Sequence, residues 1–181
     1  TRKESSAASD VYKRQMAHYA VYTYITQLVD RVNVPGGIET ALLLFGIGSF
    51  ISIMLAMRFT DTSLRRFTSL MFLLGALGLG MLYFIAHYYL AAYIAFFLWG
   101  ISFGPLVTML QTAVASHSES AKAIATSVQS SMFNFSILLA TSFGGFLLAH
   151  ANIMAVVMLA VILLAAATMI SFISKGTLGE Q

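Results

Sequence analysis

Residues 38–57 read IETALLLFGIGSFISIMLAM, residues 58–66 read RFTDTSLRR and residues 67–86 read FTSLMFLLGALGLGMLYFIA. Two apolar runs enclose a short stretch that carries Arg58, Asp61, Arg65 and Arg66. At 1.5 Å rise per residue each run of about 20 residues covers about 30 Å, the thickness of a bilayer's hydrocarbon core. The pattern predicts two membrane-spanning helices joined by a charged loop at one surface.

Composition extends that reading to the whole chain. Its 181 residues are 59% hydrophobic and 9% charged, with a mean hydropathy of +0.83, two prolines and no cysteine. A soluble domain carries roughly a quarter charged residues, so most of this surface cannot face water. Soluble enzymes, nucleic-acid modules and disulfide scaffolds are excluded. Ten basic residues against seven acidic ones, scattered along the chain, form no stripe for a polyanion.

Residues 1–15 stand apart in composition. They hold Arg2, Lys3, Lys13 and Arg14 together with Glu4 and Asp10. The run from Ser5 to Gln15, SSAASDVYKRQ, resembles the in-frame translation of a transposase sequencing adapter. Residues 1–15 are therefore expected to be a non-native artefact. Without them 6 basic and 5 acidic residues remain, and the net charge falls from +3 to +1.

Further spanners are expected at about 88–113, 123–148 and 152–173. The stretch 16–29 is helix-like and aromatic but covers only about 21 Å. It is expected to be the end of a spanner whose beginning is missing; an interfacial helix is the alternative, favoured by Tyr19, Tyr22 and Tyr24. If the segments alternate, Arg58, Arg65, Arg66, Lys122 and Lys175 share one side and Arg31 lies on the other. The positive-inside rule makes the first side cytoplasmic. Residues 176–181 then form a cytoplasmic tail.

Polar groups inside a membrane helix must face other helices or a water-filled cavity. On the fifth segment Ser127, Ser131, Asn134, Thr141 and Gly145 share one helical face. That stripe either lines a cavity or hydrogen-bonds across helices, and spacing leaves both open. The first segment offers His18 and Tyr22 on one face, with Gln27 near the exit; Tyr22 and Gln27 are the cavity candidates, and for His18 a solvent-reaching end is the alternative to the cavity. Gly100, Gly104 and Pro105 in the fourth segment combine close helix approach with a bend. The third and sixth segments suit support roles. No catalytic or metal-ligating spacing occurs, and no acidic residue lies well inside a spanner.

Six spanners, a charged loop after the second and polar faces on segments one, four and five resemble the C-terminal half of a major facilitator superfamily transporter. The likeness covers about residues 16–175 and is closest to the drug:proton antiporter and sugar-efflux permease group. RFTDTSLRR at 58–66 is similar to the family loop motif G-R-x-x-D-R-x-G-R-R, keeping Arg58, Asp61, Arg65 and Arg66. Met57, Thr62 and Leu64 depart from it, as the motif's second copy usually does. LWGISFG at 98–104 and Phe133-Asn134 also resemble family helices ten and eleven.

The resemblance implies an all-α integral membrane fold, a six-helix bundle with a truncated first helix forming half of a twelve-helix transporter. It further implies alternating-access transport of a small organic solute such as a drug or sugar, by efflux, with Arg58, Asp61, Arg65 and Arg66 holding a cytoplasmic gate. The expected partners are the bilayer, the solute, an N-terminal six-helix half and, where transport is coupled, protons. The expected location is the plasma membrane, as a bacterial inner membrane protein. No enzyme activity, cofactor, metal or nucleic acid is expected. The alternative is a complete small membrane protein acting as an assembly partner or self-associating carrier.

Overall fold

The computed structural model describes residues 15–104 and 122–173, without the side chains of residues 59–66, 68, 122–126, 128, 129 and 170–173. All regular structure in the described residues is helical. Helix α1 covers 15–22. It is followed by α2 (Ile25–Val32), α3 (Gly37–Phe84), α4 (Tyr89–Phe103), α5 (Lys122–His150) and α6 (Ile153–Ile173).

The first segment is not one continuous helix, as the sequence suggested. At Thr23 and Tyr24 the hydrogen bonding shifts from Thr23 N to Tyr19 O, four residues back, to Tyr24 N to Val21 O, three back. Tyr24 leaves helical geometry at φ −110° and ψ 28°, and α2 starts afresh. The turn to α3 uses Asn33 in the left-handed region (φ 51°) and Gly36 and Gly37 at φ 78° and 63°. Glycine adopts such angles at no steric cost, and asparagine does so more readily than other residues.

The charged stretch 58–66, expected as a loop, carries helical backbone geometry, so the helical element α3 covers all 48 residues Gly37–Phe84. It contains no glycine or proline, and its residues tolerate helix well. A straight helix would separate Gly48 from Gly75 by about 40 Å. Both positions nevertheless lie against α4. Phe45, Gly48 and Ser49 face Gly100, Ile101 and Gly104 in parallel order, while Gly75 faces Ser102 and Gly78 faces Ala95 and Trp99 in antiparallel order. The chain therefore reverses between the two arms of α3, and α4 seats between them.

Small residues make these approaches possible. A side chain at Gly48 or Gly100 would strike the backbone of the facing helix, at Phe97 O and Phe45 O respectively. Ser49 Oγ donates to Gly100 O at 3.0 Å across the same contact. Helix α6 buries Ile153, Val156, Val157, Ala160, Leu164 and Ala167, a face repeating every three or four residues. Leu164 of that face reaches the second arm at Gly75. Asn152 opens α6 by accepting from Ala155 N at 3.1 Å, which satisfies one of the free N–H groups of the first turn.

Among the described residues Gly37–Arg58 and Ser130–His150 are long and apolar enough to cross a membrane. Ser69–Phe84, Tyr89–Phe103 and Ile153–Met169 are shorter apolar helices. The outward faces are correspondingly apolar: Leu43, Phe50, Met57, Phe84, Leu90 and Met169 are all exposed.

Candidate functional site

His18 and Tyr22 lie one turn apart on α1, so their rings share a face. Around the His18 imidazole gather Tyr19 and Tyr22 from α1, Phe45 from α3, and Trp99 and Phe103 from α4. Phe103 lies face to face with it at 8°, while Tyr22 stacks at 22° with centroids 5.2 Å apart. Trp99 Nε1 donates to His18 Nδ1 at 3.1 Å. Indole nitrogen can only donate, so Nδ1 is the acceptor and the imidazole is neutral with its proton on Nε2.

Burial grades across this cluster. Trp99 is 1% exposed, His18 4% and Tyr22 37%, so Tyr22 forms the open edge. Among the described residues no nitrogen or oxygen atom accepts from His18 Nε2–H. Leaving a buried donor without an acceptor costs about 1–3 kcal/mol. Gly48 and Gly100 bring α3 and α4 close enough for Phe45 and Trp99 to meet at 5.2 Å, which sets the floor under His18.

A second contact fixes α1 to α5. Tyr24 Oη donates to Thr141 O at 2.8 Å. Gly144 and Gly145 lie beneath the Tyr24 ring, and Tyr19 meets Phe133 edge-on at 5.6 Å. The polar stripe of α5 is therefore divided. Its Thr141–Gly145 end is engaged with Tyr24, and the Thr141 hydroxyl returns to its own helix at Ile137 O. Its other end, Ser127, Ser131 and Asn134, is exposed. Asn134 Nδ2 donates to Ser130 O of its own helix at 3.0 Å.

Over residues 15–177 the sequence matches the Major Facilitator Superfamily. The chain belongs to that superfamily. No curated protein and no solved structure matched it. Membership places the chain among membrane transporters of small molecules rather than enzymes, and makes it an integral membrane protein. Among the described residues no group of three or more His, Cys, Asp or Glu could hold a metal.

Within this superfamily member the residues expected from sequence are spread over several places. Tyr22 edges the ring cluster, while Gln27 is exposed on α2 beyond the helix break. Gly100 and Gly104 pack against the backbone of Phe45 and Ser49. Pro105 lies outside the described residues, as do residues 1–14 and Lys175. Arg58 is exposed at the end of the first α3 arm, and the side chains of Asp61, Arg65 and Arg66 lie outside the described set.

His18 is the correction of most consequence. Read from the sequence as facing a cavity or as lying at a solvent-reaching end, it is instead buried among five rings and bonded to a residue 81 positions away. The available signal was composition: the chain has one tryptophan and four histidines, and a buried indole N–H usually finds an acceptor.

Proposed function

We propose that this chain is the C-terminal six-helix half of a twelve-helix Major Facilitator permease that exports a small organic solute, a drug or a sugar, by alternating access. The supporting observation is directional. Helix α4 runs parallel to the first arm of α3 and antiparallel to the second, and α1 runs parallel to α5 by the pairs Tyr19–Phe133 and Tyr24–Thr141. Successive spanners that alternate across a bilayer produce this set of directions.

In this reading the two halves rock around a site near the midplane. Tyr22, Gln27, Ser127, Ser131 and Asn134 line the cavity; all five are exposed on the isolated chain. Their side chains are uncharged, which disfavours strongly charged solutes. Arg58, Asp61, Arg65 and Arg66 hold the cytoplasmic gate, the aspartate facing a helix N-terminus of the other half, where negative charge is favoured. Gly100, Gly104 and Pro105 allow α4 to bend, and the C-terminus is cytoplasmic in a bacterial inner membrane. Any proton coupling resides in the other half.

Upstream genomic sequence tests the proposal. About six further in-frame spanners are expected. A stop codon close upstream of Met16 would sink the reading and leave a self-contained membrane protein in its place.

A further inference from the structure

The His18–Trp99 pair uses one of the two nitrogens of a buried imidazole. Trp99 occupies Nδ1 at 3.1 Å. The two ring nitrogens diverge, so Nε2–H points away from Trp99, and it makes no hydrogen bond among the described residues. Beside the imidazole stands Tyr22, stacked on it and 37% exposed. A donor of a 4% exposed imidazole, without an acceptor among the described residues, thus adjoins the open Tyr22 ring on one face of α1.

We propose that His18 Nε2–H and the Tyr22 ring form a subsite for an uncharged, flat solute that carries a hydrogen-bond acceptor oxygen. The N–H donates to that oxygen, and Tyr22 stacks on the planar part of the solute. This rests on the transporter reading and adds the substrate's chemical class to it.

Charge selects among solutes. The rings facing His18 are Tyr19 and Tyr22 from α1, Phe45 from α3, and Trp99 and Phe103 from α4, and they bring no acid or base. Aromatic faces attract cations, but the positive end of the Nε2–H dipole opposes one placed against it. An anion would accept the hydrogen bond, yet its full charge would be desolvated without a counter-ion, a heavy cost. A neutral acceptor meets neither penalty. Acceptor geometry also separates this subsite from a merely greasy surface, which would bind a ring without oxygen equally well.

The test uses the full chain in lipid nanodiscs and the emission of Trp99, the one tryptophan in the sequence. The probes are phenyl β-glucoside and benzamide, both uncharged aryl acceptors, with benzyltrimethylammonium and benzoate as charged rings of similar size. Saturable emission changes are expected with the two neutral probes and not with the ions. His18→Phe is expected to weaken neutral-probe binding about five- to tenfold, the worth of one hydrogen bond. His18→Gln, which keeps an acceptor for Trp99 and a donor for the solute, retains most of it.

Should His18→Phe fail to fold, ¹⁵N-histidine spectra of the unaltered chain decide, with His18 assigned through His18→Gln. Its Nε2 resonance is expected to shift with phenyl β-glucoside. Equal response to ions and neutral probes, no saturable response to either neutral probe, or an unmoved Nε2 resonance each overturns the proposal; water alone would then serve the N–H. If the upstream-extended protein transports while these probes fail, the subsite falls and the transporter reading stands. If the probes bind and the upstream sequence holds no second half, the reverse holds.

Discussion

Trp99 contributes two separable things, a large buried ring and an N–H group committed to His18. In a bilayer burying the ring brings no hydrophobic gain over lipid, so it contributes through van der Waals packing, and interhelical hydrogen bonds average under about 1 kcal/mol because partners can be found elsewhere. The first prediction follows from separating these terms. Trp99→Phe and His18→Phe should each lower stability, and the double variant should fall short of their sum by about 1 kcal/mol, since the shared bond can be lost only once. Thermal unfolding followed by circular dichroism in detergent measures all three. Strict additivity would show that the pair is adjacent without being coupled. At this scale the sequence was a poor guide. Tyr22 could be nominated because it lies on a polar-aromatic face, whereas the His18–Trp99 bond joins residues 81 positions apart and depends on how α1 meets α4.

Helices were legible in the sequence where hydropathy and turn chemistry agree, as at Asn33 to Gly37, and their connections were less so. The stretch 58–66 was expected as a loop on charge; its backbone geometry is helical, yet the arms on either side of it run in opposite directions along α4, so the reversal lies within one helical element. Conversely, nothing local marks the break at Thr23 and Tyr24. The Tyr24 hydroxyl is held by Thr141 O, a tertiary contact that one segment read alone does not contain. Tyr24→Phe, the second prediction, should cost about 0.5–1 kcal/mol in the same melts, the net worth of one neutral hydrogen bond. Glycines provide the third. Gly100→Ala forces a methyl into the backbone of Phe45, whereas a Cβ at Gly80 meets nothing within 4 Å. The first change should destabilise by about 1–3 kcal/mol through overpacking, and Gly80→Ala should stabilise by about 0.5–1 kcal/mol by restricting the unfolded chain. Equal effects at the two positions would mean that α3 and α4 do not approach as closely as Gly100 implies.

For the molecule as a whole, the all-helical membrane class and the superfamily were legible because each spanner must satisfy its backbone internally and hide its few polar groups, which writes length and polarity into the sequence. Orientation belongs to the membrane and, in the proposed reading, partnership belongs to a second bundle. Of the six basic residues after residue 15, five share one side in an alternating arrangement, so the fourth prediction concerns the C-terminus. A fluorescent protein that matures in the bacterial cytoplasm but not after export by the general secretory route, fused after Gln181, should fluoresce; a dark, full-length fusion would reverse the orientation. The last prediction concerns transport itself. Ser127, Ser131 and Asn134 line up on an exposed face of α5, and Tyr22 and Gln27 are open as well, so in the proposed two-half reading this chain supplies one wall of a cavity. Alternating access needs two walls that rock against each other, because a single wall can bind a solute without ever closing over it. Liposomes containing only the 181-residue chain should therefore bind solute but pass none above protein-free vesicles, in either direction. Liposomes containing the upstream-extended protein should pass it. Flux through the short chain alone would mean that copies of this bundle supply each other's second wall, and the two-half reading would give way to a self-associating carrier.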